Sequence, residues 1–194
     1  MTQPDLLDLY DRTLQHTSRV VANIAPELRT GPTPCSDWTV DNLLGHMAGT
    51  LLASVAFLDG TPPDVAAMAG QPLADEDHAG VFNAAAAASL AAHRAPGALA
   101  KEIDAPPGRM PAGMFLNFPL MDMWVHSWDL ARATTQQPDF DEEITTYVLG
   151  FCRQAFGTNR PPAQVIGPEI DVDPSRPSIE RLVGFLGRRP TWHA

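Results

Sequence analysis

The chain has 194 residues and a formal net charge of −10, with 13 Lys and Arg against 23 Asp and Glu. That balance argues against nucleic-acid binding, which wants a basic face, and against docking on an anionic membrane. Two cysteines make no disulfide framework, no apolar run approaches the roughly 20 residues that span a bilayer, and the N-terminus lacks the basic-then-apolar order of a secretory signal, so a cytoplasmic protein with reduced thiols is expected.

The length suits one domain, residues 1–194. A composition rich in Ala, Leu and Pro favours helices joined by Pro-rich loops. The first helix is predicted from Asp5 to Ala25, where Leu6, Leu9, Tyr10, Thr13, Leu14, Thr17, Val20, Val21 and Ile24 follow three-four spacing. Pro26 closes it. Gly31 to Cys35 reads as a rigid extended connection. Thr39 is the expected N-cap of a second helix, Val40 to Asp59, whose inward stripe includes His46.

Residues 64–69 suggest a short helical turn. A third helix is predicted from Asp75 to Ala95, with an alanine core and Val81, Phe82 and Leu90 as anchors. Lys101 to Gly108 reads as extended, with room for a small β-hairpin. The next helix begins near Pro111 with a kink at Pro119, or begins at Pro119, and runs to Ala133. Asp141 to Phe156 forms the last long helix, stopped at Gly157. Residues 158–177 carry five prolines and no periodicity, so an irregular crossing segment is expected there. Ser178 is read as the cap of a short helix, Ile179 to Leu186. Long amphipathic helices and little else make an all-α protein, a helical bundle. In this reading residues 157–194 are an irregular segment and a short helix packed on that bundle.

The chemistry points to Asp122 and His126. They lie four residues apart, on one face of a helix. A carboxylate and an imidazole on a buried face are costly unless something satisfies them, and a divalent metal does so. His46, turned inward on another helix, is the candidate third ligand. Two nitrogens and one carboxylate suit Zn²⁺ first, with Ni²⁺ or Fe²⁺ as alternatives. Three protein ligands leave open positions, as in a catalytic site rather than a structural one.

Around these ligands Asp129 is a candidate to orient a histidine, Arg132 to bind a substrate carboxylate, and Trp38, Trp124 and Trp128 to line a pocket. Each also has a structural reading, as a helix ion pair or as bundle core. Cys35 has no base paired with it in sequence and reads as a loop residue. Cys152 reads as core, His16 as a residue near the bundle centre, and His78 and His93 as solvent-facing. There is no phosphate-cradling Gly loop, no CxxC and no Ser nucleophile elbow.

The run Thr33-Pro34-Cys35-Ser36-Asp37-Trp38-Thr39-Val40, followed by Leu43-Leu44-Gly45-His46-Met47, resembles the opening motif of the mycothiol-dependent maleylpyruvate isomerase metal-binding family. Val125 to Thr134 resembles the second motif of that family, and Arg181 to Arg188 the ending of an actinobacterial metal-binding subgroup. The resemblance implies a DinB-like four-helix bundle and a divalent metal held by three side chains from two helices, at the positions of His46, Asp122 and His126. The isomerase is associated with Glu at the position of Asp122, so the shorter carboxylate here keeps the charge and changes the reach.

The resemblance further implies a small-molecule substrate and a low-molecular-weight thiol, mycothiol, as cosubstrate, with the thiol as nucleophile in transfer or isomerisation. Two other readings stand beside it: a metal-dependent hydrolase, isomerase or cyclase without a thiol cofactor, and a non-catalytic metal-binding stress protein. Both a monomer and a homodimer fit the sequence.

Overall fold

The structure, a computed structural model, describes residues 5–194 except 36, 62, 65–67, 74–76, 107 and 164. The elements in chain order are α1 (Leu6–Ala22), α2 (Val40–Asp59), α3 (His78–Arg94), β1 (Glu102–Ala105), β2 (Gly108–Pro111), α4 (Ala112–Phe115), α5 (Asn117–Ala133), α6 (Glu142–Phe156) and α7 (Ser178–Phe185), with short 3₁₀ turns at Pro26–Leu28 and Ala98–Ala100. α1, α3, α2 and α5 pack in a ring, each against the next, and α6 lies outside it against α5 and α7. This is the mostly helical bundle that the periodicity predicts.

Local chemistry sets the ends. Asp5 caps α1 by accepting from the Leu7 N–H. Thr39 caps α2 in a reciprocal box with Asn42, and Gly60 ends that helix in the left-handed conformation. Both ends of α2 therefore fall where the sequence puts them. The α3 helix starts at His78 with Asp77 as cap; the expected start at residues 75 and 76 lies outside the described residues, as does part of the turn expected over 64–69. Between the two proposed starts of the fifth helix the structure takes a middle course. One turn, α4, precedes α5, and Pro119 is the third residue of α5, where its missing N–H breaks no helical bond.

Two expectations are corrected. Ser178 does not cap α7: Pro177 holds the cap position, and the Ser178 hydroxyl donates to the Glu142 carboxylate on α6. His78 and His93 are buried rather than solvent-facing. Alanine is the reason for His93: Ala85 and Ala86 of α3 are both buried, small side chains let helices approach closely, and His93 is enclosed with its ring edge against Tyr10. Its Nδ1–H donates to the Ser89 carbonyl at 2.8 Å, and His78 Nε2–H donates to the Val21 carbonyl at 3.3 Å.

The main core joins Leu9, Leu14, Leu43, Met47, Leu51, Phe82, Leu120, Met123, Trp124 and Leu130 from all four bundle helices. A smaller cluster of Leu58, Ala98, Ile103, Ala112 and Phe115 seats the hairpin, in which Glu102 pairs with Pro111 and Ile103 with Met110. Among the described residues, no helix is long and apolar enough to cross a membrane. The α5 helix is buried nearly all round; Met121, Asp122 and Arg132 are the half-buried members of its last fourteen residues. A carboxylate in such a helix must find a partner inside the molecule.

Candidate metal centre

Asp122 finds two. His46 Nε2 lies 3.3 Å from both Asp122 oxygens, and His126 Nε2 lies 3.4 Å from Oδ1. The ligating atoms of His46, Asp122 and His126 all fall within 4.8 Å of one another. The two helices place them: Asp122 and His126 stack one turn apart on α5, and His46 faces them from α2, its ring edge-on to His126 at 5.0 Å between centroids.

The far nitrogens decide how these rings face the carboxylate. His46 Nδ1 is 2.6 Å from the Met68 carbonyl, and His126 Nδ1 is 2.9 Å from Asp129 Oδ2. A carbonyl and a carboxylate only accept, so each Nδ1 carries the proton. Each Nε2 then aims a lone pair at a carboxylate that also has only lone pairs to offer. Asp122 Oδ2 is buried with no hydrogen bond at all. The arrangement is repulsive unless a proton or a metal ion sits among the three groups.

The electrostatics agree. Burial alone would raise the Asp122 carboxyl, but the positive charge of the facing histidines, once a proton is among the three groups, outweighs it and holds its pKa far below the usual range. Burial alone would lower His126; Asp122 first, then Asp129 and Cys35, lift its pKa well above the ordinary value.

A second layer lies behind His126. Asp129 is fully buried, and its Oδ2 is shared by His126 Nδ1, Arg188 Nη2 at 3.0 Å and the Cys35 thiol at 3.4 Å. Burial would raise Asp129, but the Arg188 guanidinium and then His126 hold it at about 2. Cys35, expected as a loop residue without a paired base, is thus part of the site, with Sγ 3.9 Å from His126 Nδ1 and 3.5 Å from Arg188 Nη2. It meets the side of the ring that faces away from Asp122.

Of the other candidates, Trp38 covers His46 at 4.6 Å between centroids and reaches His126 at 6.2 Å. Arg132 lies over the Trp128 ring, 5.3 Å from its centroid. Trp124 donates from Nε1 to Thr145 and packs against His16 and Phe140. The guanidinium at the site is that of Arg188.

Close approach of backbone holds this end together. A Cβ on Gly45 would lie 1.9 Å from the Gln71 carbonyl, and one on Gly70 would lie 2.7 Å from the Trp38 ring. Only glycine lets the 68–73 segment press against α2 and bring the Met68 carbonyl to His46.

A family model, mycothiol maleylpyruvate isomerase N-terminal domain, matches residues 10–131. The chain belongs to the mycothiol maleylpyruvate isomerase N-terminal domain family. Two Mycobacterium tuberculosis proteins, from strains CDC 1551 and H37Rv and each described as uncharacterized, are 31% identical over 188 residues, covering 95% of this chain and 98% of theirs. Crystal structures of a mycothiol-dependent maleylpyruvate isomerase and of a point variant match with a TM-score of 0.64 at 21% identity, over 77% of this chain and 70% of theirs. The mycothiol maleylpyruvate isomerase N-terminal domain match ends at Ala131, beyond His46, Asp122 and His126 and short of Arg188.

Proposed function

We propose that this chain is a divalent-metal enzyme that activates a low-molecular-weight thiol of the mycothiol type for transfer or isomerisation, with His46, Asp122 and His126 as the metal ligands. One observation carries the reading: two Nε2 atoms, each turned by its Nδ1 partner, converge on the Asp122 carboxylate, His126 at Oδ1 and His46 at both oxygens, and Oδ2 is buried with no hydrogen bond. Two nitrogens and one oxygen suit a borderline ion, Zn²⁺ before Ni²⁺ or Fe²⁺. Such an ion would supply a Lewis acid that lowers the pKa of a thiol or water and polarises a substrate carbonyl.

The protein does the rest. Trp38 shields one face of His46 from water. Asp129 holds the His126 ring in the tautomer that frees Nε2. Cys35 faces Nδ1 and is engaged by Asp129 and Arg188, so the reacting thiol comes from solution and not from the chain. Membership in the mycothiol maleylpyruvate isomerase N-terminal domain family supports mycothiol as that thiol.

Protein purified without a histidine tag and loaded with Co²⁺ tests this. About one metal per chain, and a change in the visible Co²⁺ bands when mycothiol is added, are expected. Metal content that stays near zero after reconstitution sinks the site. Bands that move with neither mycothiol, cysteine nor glutathione sink the thiol and favour metal-dependent chemistry without it.

A further inference from the structure

The cation that shares Asp129 with His126 comes from a segment far along the chain. After α7 the backbone turns in a Schellman motif: Gly187 N–H bonds the Gly184 carbonyl at 2.9 Å, and Arg188 N–H bonds the Val183 carbonyl at 2.8 Å. Gly187 has φ +84°, and a Cβ on it would lie 2.6 Å from Gly167 Cα. The cap and the glycine together fix where Arg188 leaves the helix. It leaves toward Asp129.

Each nitrogen of that guanidinium has a partner in the fold. Nε faces both Asp129 oxygens at 3.4 Å, Nη2 reaches Oδ2 at 3.0 Å and Cys35 Sγ at 3.5 Å, and Nη1 donates to the Leu186 carbonyl at 3.2 Å. Bound this way, Arg188 is not presented to a substrate carboxylate. It neutralises a carboxylate that has no exposure, and that carboxylate grips His126 Nδ1 at 2.9 Å.

We propose that Arg188 is a positioning residue of the centre, acting through Asp129 to fix the ring plane and tautomer of His126, so that the segment after α7 sets how well Nε2 is presented to a metal ion. The metal part of this proposal rests on the reading above; the tautomer part does not. The physical basis is that partners behind a ligand histidine fix its orientation and basicity, and that a bidentate arginine restricts a carboxylate to one rotamer where lysine restricts only its charge.

The test compares wild type with R188M and R188K. In metal-free protein labelled with ¹⁵N-histidine, wild type is expected to show a downfield His126 Nδ1–H resonance that R188M loses. In chelator competition R188M is expected to bind Zn²⁺ about 10- to 100-fold more weakly, with shifted Co²⁺ bands, and R188K to recover part of the loss. An unchanged Nδ1–H resonance in folded R188M overturns the proposal whatever the metal result. Absence of metal from wild type overturns the metal reading alone, and the resonance then decides this one. Should R188M fail to fold, R188M/D129N removes the stranded charge: affinity and resonance equal to those of D129N alone support action through Asp129, and a further loss overturns it.

Discussion

Two polar groups inside this bundle are built in opposite ways, one closed on itself and one open. In the first, the Tyr10 hydroxyl is 2.8 Å from Ser89 Oγ, Ser89 is 2.7 Å from Ser54 Oγ, and Ser54 donates to the Leu51 carbonyl. Each hydroxyl can both give and accept, so the chain runs downhill to a backbone acceptor and closes. In the second, Asp122 meets two nitrogens that are turned by their other partners to offer lone pairs. Without a proton or an ion among them acceptors face acceptors, so this group closes only when one or the other is bound.

Burial of polar atoms does not make the difference. His16 Nε2, His78 Nδ1 and His93 Nε2 are also buried without partners. Among the described residues, none of them joins a group of three ligating side chains. Convergence of lone pairs fixed from behind separates a candidate centre from a core histidine.

Substitutions on the two sides should therefore fail in different ways. H126A should reduce metal affinity by at least about 100-fold while leaving the circular dichroism helical, because only the open group needs an ion. Stoichiometric metal in that variant would erase the contrast. The pH dependence of metal binding should be the next largest effect. His126 holds its proton well above the ordinary pKa, so a metal ion must displace it, and affinity should rise with pH through neutrality. Isothermal titration in buffers of different ionisation enthalpy would count the proton released; none released would contradict the facing geometry.

S89A should cost about 1–3 kcal/mol of stability in urea melts, because it strands the Tyr10 hydroxyl and leaves Ser54 only its Leu51 bond, and it should not change metal affinity. A loss of metal affinity in S89A would mean that the two regions are one network. An effect of similar size, confined to acid, belongs to His16. Burial, and then Arg19, lower its pKa to about 4, against the partial opposition of Asp139 and Asp141. The unfolded chain takes up that proton first, so stability present above about pH 6.5 is lost as pH falls toward 4. That loss is on the order of 2 kcal/mol. H16Q should flatten the fall in urea midpoint between pH 7 and 4.5; an unchanged slope assigns acid sensitivity to other groups.

Much of this was legible in the chain because it is periodic or local. The α2 helix could be bounded at both ends from a Thr-Asn box and a following glycine, and the Asp122–His126 pair follows from the pitch of a helix. His46 could be placed inward because it sits among Leu43, Met47 and Leu51. Cys35 and Arg188 could not be placed that way. One is in a loop, the other just past a short helix, and no period relates positions 153 residues apart. His93 misled for a related reason: its own helix has few large apolar anchors, so its burial is decided by how closely α1 and α2 come to the alanines. The signal available for Arg188 was the glycine before it, which marks a helix cap and so a direction.

That cap has a consequence for the order in which the molecule matures. Helices α1 to α5 contain everything needed to bring His46 to Asp122 and His126. During synthesis they are complete while residues 134–194 are still to come. At that stage Asp129 is already on its helix but lacks its cation, and a buried carboxylate without a counter-charge opposes docking of α5. The loop that Arg188 closes back to Cys35 is among the longest in the fold, and long closures are late events. Docking of α5, and with it the hold on His126, is therefore secured only when the turn that carries Arg188 arrives behind it.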